Sequence, residues 1–402
     1  MNSFKDAQII EYDDKTVICY RSSYSVFEEA LFKGVPVACG YNAAGYPLNV
    51  LSNCDTRIDP KNFSEPMCFN IEADSSDICR RMKLTSFKKD ESDSSFYCVA
   101  EFESGIMPVT VEEHTVLDGT AIMTRHLEIE NNGNKSINIS RLVIHGGAIE
   151  SFNISNFCFK ERVNPENIYE IGYFRNDEWA REGELDFSAL KPGITSVTTR
   201  FEADRFRHPA VFLKNKLTGV YYFIQAGYSG GVKFTFNLDA KNSSDNVRLS
   251  YTAQITGYFP LYQLKNGEKL ITPEIHFGVI HGDFDKAVNE NIKHIRKSVL
   301  TASPVLEVGA GMGAEHDMSV ETALLFAKQM CEMGAEVFII DAGWACPPGK
   351  EMHWGEYNGI NREDRDRYPD GLRQIREYCK SIGMKFALWL EPERVGKFSA
   401  VR

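Results

Sequence analysis

From residue 1 to about 280, apolar positions fall in short runs or strict alternation between turn residues. Thr16 to Tyr20, Pro36 to Tyr41, Phe96 to Phe102 and Met107 to Val111 each read as a strand, because a period of two sends alternate side chains to one face. Ala121 to Ile129 and Ser136 to Ile144 flank Asn131-Asn132-Gly133-Asn134, residues that tolerate positive φ, and the pattern predicts a hairpin. Leu117-Asp118-Gly119-Thr120 marks another turn. Val220 to Ala226 and Val232 to Leu238 flank Ser229-Gly230-Gly231, and Val247 to Ile255 and Ile271 to Ile280 continue the series. Many short strands at regular spacing predict a large two-sheet sandwich.

Near residue 283 the period changes. Phe284, Ala287, Val288, Ile292 and Ile295 recur at helical spacing behind Asp283, a good N-cap, with Lys293, Arg296 and Lys297 at the end that favours cations. This predicts a linking helix that ends before Pro304. Strand and helix then alternate. Val305 to Val308 is a strand. Ser319 opens a helix with Ala323, Leu324, Ala327, Met330 and Cys331 on one face and Gly334 as its stop. Val337 to Ile340 is a continuous apolar run, as in a strand buried on both faces. A long polar loop spans 345–368. A second helix carries Leu372, Ile375, Cys379 and Ile382 inward and stops at Gly383, and Lys385 to Leu390 is the next strand. Repeated βα units mean parallel strands, and both a barrel and an open sheet fit. The expected domains are a sandwich over 1–282, a linking helix over 283–303 and an α/β segment over 304–402.

Charge narrows the class. A net charge of −11 argues against a nucleic-acid partner, whose phosphates need a basic patch. No apolar run approaches the ~18 residues of a membrane helix, and the first residues lack the basic-then-apolar pattern of a secretory signal. The ten cysteines are scattered, with no C-x-x-C and no histidine at zinc spacing, so reduced thiols, a cytoplasmic setting and no bound metal are expected. The strand-to-helix turns carry no phosphate-binding glycine motif, and no cofactor is expected.

Candidate chemistry gathers at the strand ends, which share one face in such folds. Asp341 and Trp344 follow one strand, and Trp389, Glu391, Glu393 and Arg394 follow the next. The loop adds His353, Trp354, Glu356, Tyr357 and Asn361. Aromatic faces ringed by carboxylates and amides suit carbohydrate, and paired carboxylates suit glycoside hydrolysis. Each residue also has a plainer role: Glu391 or Glu393 can pair with Arg394, and Trp389 can be core. Tyr228, Trp179 and Arg181 are polar-aromatic loop residues able to reach a neighbouring site.

Phe338-Ile-Ile-Asp-Ala-Gly-Trp344, Arg367-Tyr-Pro-Asp-Gly-Leu-Arg-Gln-Ile375 and Gly383-Met-Lys-Phe-Ala-Leu-Trp-Leu-Glu-Pro-Glu-Arg-Val395 resemble the α-galactosidases of glycoside hydrolase family 36. Upstream, Thr124-Arg125-His126, Glu128-Ile-Glu-Asn-Asn132 and Ala226-Gly-Tyr-Ser-Gly-Gly231 extend the resemblance. It implies a β-supersandwich followed by a (β/α)8 TIM barrel, retaining hydrolysis of α-galactoside oligosaccharides, and a homo-oligomer of the full enzyme. By resemblance, Asp341 holds a sugar hydroxyl, Trp389 and Trp344 line and shape the galactose pocket, and Glu391, Glu393, Arg394 and Trp354 support it. Two features depart from the pattern. Ala342 stands where many members carry a second Asp, and Val308-Gly-Ala-Gly-Met312 stands where the first strand often ends in Trp. The family's nucleophile lies in a Lys-x-Asp motif on the fourth strand and its acid/base is an Asp after the sixth. The chain is therefore expected to be a truncated piece with the first three βα units and neither catalytic Asp. Its open sheet edge predicts aggregation or a borrowed partner. A non-catalytic carbohydrate-binding protein is the alternative.

Overall fold

Alternation decides the first part of the molecule: Val232–Asp239 buries every second side chain, the signature of a strand with one face on a core. A computed structural model describes residues 4–46, 63–92, 94–153, 164, 167–175, 183–199, 201–202, 205–240, 246–300, 309–312, 318–347, 354–360, 362–392 and 394–399. The chain divides into two compact units, 1–300 and 301–402.

Among the described residues, the first unit holds three large antiparallel sheets. A four-stranded meander runs Lys5–Glu11, Lys15–Ser22, Ser25–Phe32, Val35–Asn42. A ten-stranded sheet has the order Leu185–Ala189, Tyr169–Phe174, Ala210–Asn215, Val220–Ala226, Ile275–His281, Ile122–Asn131, Val109–Leu117, Phe96–Ser104, Met82–Glu91, with Lys269–Ile271 beside Ile122–Asn131. A seven-stranded sheet has the order Gly193–Thr199, Val232–Asp239, Asn246–Ile255, Ile137–Asn153, Asn70–Ala73, Ser76–Asp77, with Tyr262–Leu264 beside Ile137–Asn153. Their inner faces interdigitate in one core that includes Phe27, Phe69, Phe234, Phe236 and Phe277. The long strand Ile137–Asn153 bends at two register shifts. Gly147 is required there: its φ is +106° and a Cβ would lie 2.5 Å from that of Ala38.

The expected hairpin over Asn131–Asn134 does not form. Ile122–Asn131 and Ile137–Asn153 lie in different sheets, so the turn crosses from one sheet to the other. Buried Asn131 builds that crossing: its Nδ2 donates to the carbonyls of Lys135 (2.8 Å) and Leu264 (3.1 Å), and its Oδ1 accepts from the Gly133 amide. Leu117 to Thr120 does close a hairpin, with Met123 opposite Leu117.

The helix Phe284–His294 belongs to the first unit and is capped by Asp283 as expected. Its buried face is Ala287, Glu290 and His294, while Ile292 is exposed. His294 turns inward because Asp118 meets its Nδ1 at 2.7 Å.

Among the described residues, the second unit is a three-stranded parallel sheet, Gly309–Met312, Val337–Ile340, Lys385–Leu388, with the helices Val320–Glu332 and Arg373–Ser381 between successive strands. The expected strand Val305 to Val308 lies outside the described residues, and the described strand begins at Gly309. Ser319 caps the first helix by accepting from the Thr322 amide, and Gly334 (φ +91°) ends it. Gly383 (φ +81°) ends the second. Phe338, Ile340, Ala323, Ala327, Ile375 and Cys379 form the core between sheet and helices.

Candidate active site

The strands Val337–Ile340 and Lys385–Leu388 run parallel with Ile340 opposite Leu388, so the segments after them leave the sheet side by side. Past Ile340, Gly343 adopts φ +95° and turns the chain, which brings Trp344 back over the next strand end. Its indole Nε1 donates to the carbonyl oxygen of Trp389 at 2.8 Å. The Trp389 amide in turn donates to the Ile340 carbonyl at 2.9 Å. Trp344 is buried and packs in the core of the unit. Trp354 meets the half-buried Trp389 edge to face, with ring centroids 5.0 Å apart. Around them opens a cavity of about 530 Å³.

Glu391 stands on the rim with its charge met. Its Oε2 accepts from Asn358 Nδ2 at 2.6 Å and faces Arg394 Nε at 3.3 Å. Arg394 also lies over the Trp354 ring at 5.1 Å, holding the aromatic wall to the carboxylate. The plainer role of Glu391, a partner for Arg394, is thus the one observed, and the same contacts fix its position at the cavity. Backbone bonds from Gly396 to Asn358 and from Phe398 to Glu356 tie the loop to the segment after the last strand.

Asp341 sits at its expected strand end, but its Oδ1 accepts from the Ala342 amide at 2.7 Å and the residue does not line this cavity. Ala342 is buried. Of the expected site residues, Trp344, Trp354, Tyr357, Trp389, Glu391 and Arg394 come together on the cavity. Glu393, His353 and Asn361 lie outside the described residues, as do Trp179 and Arg181 in the first unit, where Tyr228 is exposed. Asn358 had no signal of its own in the chain: its partner Glu391 is 33 residues away.

A family model described as melibiase matches residues 288–402. Alpha-galactosidase 1 of Pediococcus pentosaceus is 22% identical over 290 residues, 70% of this chain and 37% of that relative. The chain is related to the α-galactosidases of glycoside hydrolase family 36. The fold of that family extends over it: the family 36 α-galactosidase AgaA of Geobacillus stearothermophilus superposes with a TM-score of 0.75 at 16% identity, over 96% of this chain and 57% of that one. A variant of AgaA in complex with stachyose gives a TM-score of 0.74 at 16% identity, over 96% of this chain and 57% of that one. The chain spans less than half the length of the curated relatives it matches.

Proposed function

We propose that these residues form the supersandwich and the leading barrel strands of a retaining glycoside hydrolase that releases terminal α-linked galactose. The observation that carries this is the cavity bounded by Trp344, Trp354 and Trp389 at the ends of adjacent parallel strands, where such folds bind ligands. Its size lies in the usual range for small-molecule sites, ~300–1,000 Å³. Indole faces stack on the C–H faces of a hexose, and charged groups on the rim take its hydroxyls. The kinship with α-galactosidases points to galactose, and AgaA variants carry stachyose or raffinose.

In this proposal Trp389 lines the pocket and Trp344 shapes it, and Asp341, by family resemblance, holds a sugar hydroxyl from the strand end beside the cavity. Glu391, Arg394 and Trp354 support the wall, and family resemblance alone assigns Glu393, outside the described residues, to the same role. None of these residues is assigned as nucleophile or acid/base. By family resemblance those groups belong to a fourth strand and to a segment after a sixth. The 402 residues on their own therefore bind an α-galactoside without cleaving it.

The test is a titration of tryptophan fluorescence with raffinose, stachyose and maltotriose, alongside release from a chromogenic α-galactoside. Saturable changes with the two galactosides alone, and no release above a denatured control, are expected. Release by the isolated chain would overturn the assignment of roles, and equal binding of maltotriose would remove the galactose preference. A non-catalytic carbohydrate-binding protein is the second proposal, favoured by the engagement of Glu391 and Asp341 with protein groups. The two part on whether the coding sequence downstream of Arg402 runs on into a Lys-x-Asp strand.

A further inference from the structure

The strands Val109–Leu117 and Ile122–Asn131 pair antiparallel, and the register sets His126 opposite His114 and Glu128 opposite Glu112. Period two puts all four side chains on one face of the sheet, away from the core face that carries Val111, Glu113, Arg125 and Leu127. The two imidazole rings stack with centroids 4.6 Å apart. One atom each from His114, His126 and Glu128 lies within 4.8 Å of the others. His114 Nε2 is 3.8 Å from Glu128 Oε1 and 3.6 Å from Glu112 Oε2, and His126 Nε2 is 4.0 Å from Glu128 Oε1.

His114 is the informative member. Its side chain is more than nine-tenths buried, and Nε2 has no hydrogen-bond partner. A buried polar atom left so is costly, which calls for a reason. Its other nitrogen, Nδ1, is hydrogen-bonded to the Tyr97 hydroxyl. With the ring proton on Nδ1 donated to Tyr97, Nε2 presents its lone pair to the space between the two carboxylates. A hydrogen-bonded far nitrogen is how metal-ligating histidines are oriented.

Lys269 is the competing explanation for the two carboxylates. Its Nζ contacts Glu112 Oε2 at 3.0 Å and Glu128 Oε2 at 2.7 Å. It leaves Glu128 Oε1 and both Nε2 atoms facing one another, and one lysine against two glutamates leaves the group a net negative charge. In the buried Glu29–Cys68–Glu113 cluster, by contrast, Arg125 already supplies the cation to both carboxylates at 2.8 and 2.9 Å.

We propose that His114, His126 and Glu128, with Glu112 completing the set, bind a divalent first-row transition ion, zinc foremost, on the outer face of the ten-stranded sheet. Two imidazoles and carboxylate oxygens are a donor set suited to that class. Ligand atoms around tetrahedral zinc at ~2.0–2.1 Å stand about 3.4 Å apart, so the nitrogen–oxygen separations of 3.6, 3.8 and 4.0 Å close and the two stacked rings tilt toward one another as the ion binds. The half-buried His126 and Glu128 leave a path from solvent. The ion cross-links two neighbouring strands, with Tyr97 and Lys269 orienting its ligands. Sequence spacing predicts no metal because each strand contributes only a His-Glu pair two residues apart, and the pairing register assembles the set.

The test uses the full chain, stripped with a chelator and titrated with Zn2+ by calorimetry and with Co2+ by visible absorption. One ion per chain is expected, with the d–d bands of a low-symmetry N,O site and a raised Tm in Zn2+. His114→Ala and His126→Ala should abolish the Co2+ bands, and Tyr97→Phe should weaken Zn2+ at least tenfold. Circular dichroism checks the fold of each variant. Should His114→Ala misfold, His126→Gln, at a half-buried position, decides in its place. Absence of stoichiometric uptake, or uptake unchanged in folded His126→Gln, overturns the site and leaves Lys269 as the only cation there.

Discussion

Trp344 and Trp389 belong to the ends of adjacent parallel strands and are joined by a hydrogen bond from the indole of one to the backbone of the other, 2.8 Å long. The bond fixes the cavity wall and seals the top of the small core. Trp344→Phe keeps most of the apolar bulk and leaves the Trp389 carbonyl without that donor, which should cost about 1–3 kcal/mol. A lowered midpoint for the transition of residues 301–402, followed by hydrogen exchange of their amides, is the expected result. An unchanged exchange pattern at Trp389 would refute a structural role for this bond.

On the cavity rim, Glu391 is held from two sides, by Asn358 at 2.6 Å and by Arg394 at 3.3 Å. Hydrogen bonds to a charged group contribute ~1.5–3 kcal/mol, so losing the Arg394 contact should loosen both Glu391 and Trp354. Arg394→Met is expected to weaken raffinose binding about tenfold, and Asn358→Ala less, since Arg394 still faces the carboxylate. Fluorescence titration measures both. Equal affinity in all three proteins would mean that the rim does not touch sugar.

A third test concerns the buried charge of the sandwich. Arg125 is fully buried, with Glu29 at 2.8 Å, Glu113 at 2.9 Å and Thr115 accepting from Nε at 3.1 Å. Burial pushes the Glu113 carboxyl well above its ordinary range despite Arg125, so a protonated Glu113 beside an Arg125–Glu29 pair leaves the group neutral. Removing the cation alone strands a buried negative charge. Arg125→Met should therefore cost about 3–5 kcal/mol in denaturant unfolding, and adding Glu29→Gln should recover much of it. If the double variant is no more stable than the single one, the loss is packing and not charge.

Local signals were legible in the chain and long-range ones were not. Asp283 and Ser319 cap their helices and Gly334 and Gly383 end theirs, because a cap is decided within a few residues. The apolar run ending at Asp341 gave a parallel strand for the same reason. Asn131 shows the limit. Its turn chemistry was correctly placed, but whether a turn closes a hairpin or crosses between sheets depends on strands far away, here the one ending at Leu264. Ile292 was expected inward from its period, yet His294 takes the buried position because Asp118, 176 residues earlier, supplies a partner. Asp341 illustrates the same gap at the site: the strand end was foreseen, the bond to its neighbour's amide was not.

That His294–Asp118 pair extends to a buried proton-sensitive chain. His294 Nε2 meets His276 Nδ1 at 2.9 Å, Thr124 Oγ1 lies 3.1 Å from the same His276 nitrogen, and Glu274 lies 3.8 Å from His276 Nε2. Burial first, and the neighbouring His294 second, lower the His276 pKa from 6.5 to about 4. Its pKa is thus lower in the folded state than in the unfolded, so between these values the unfolded chain binds the extra proton. Stability from this group is fully present above pH 6.5 and declines as pH falls toward 4, below which it changes no further. At 1.36 kcal/mol per pKa unit the whole decline is about 3 kcal/mol. Asp118 behaves differently. Burial raises its carboxyl, but the bonds from His294, Ser298 and Thr120 outweigh that and hold it below the ordinary range, so its contribution is lost only at lower pH, as the pH falls through that lowered value. Urea unfolding at pH 7, 5.5 and 4.5 should show wild type losing more stability than His276→Asn over the same interval. Parallel profiles for the two proteins would show that His276 takes up its proton equally in both states and would sink the linkage.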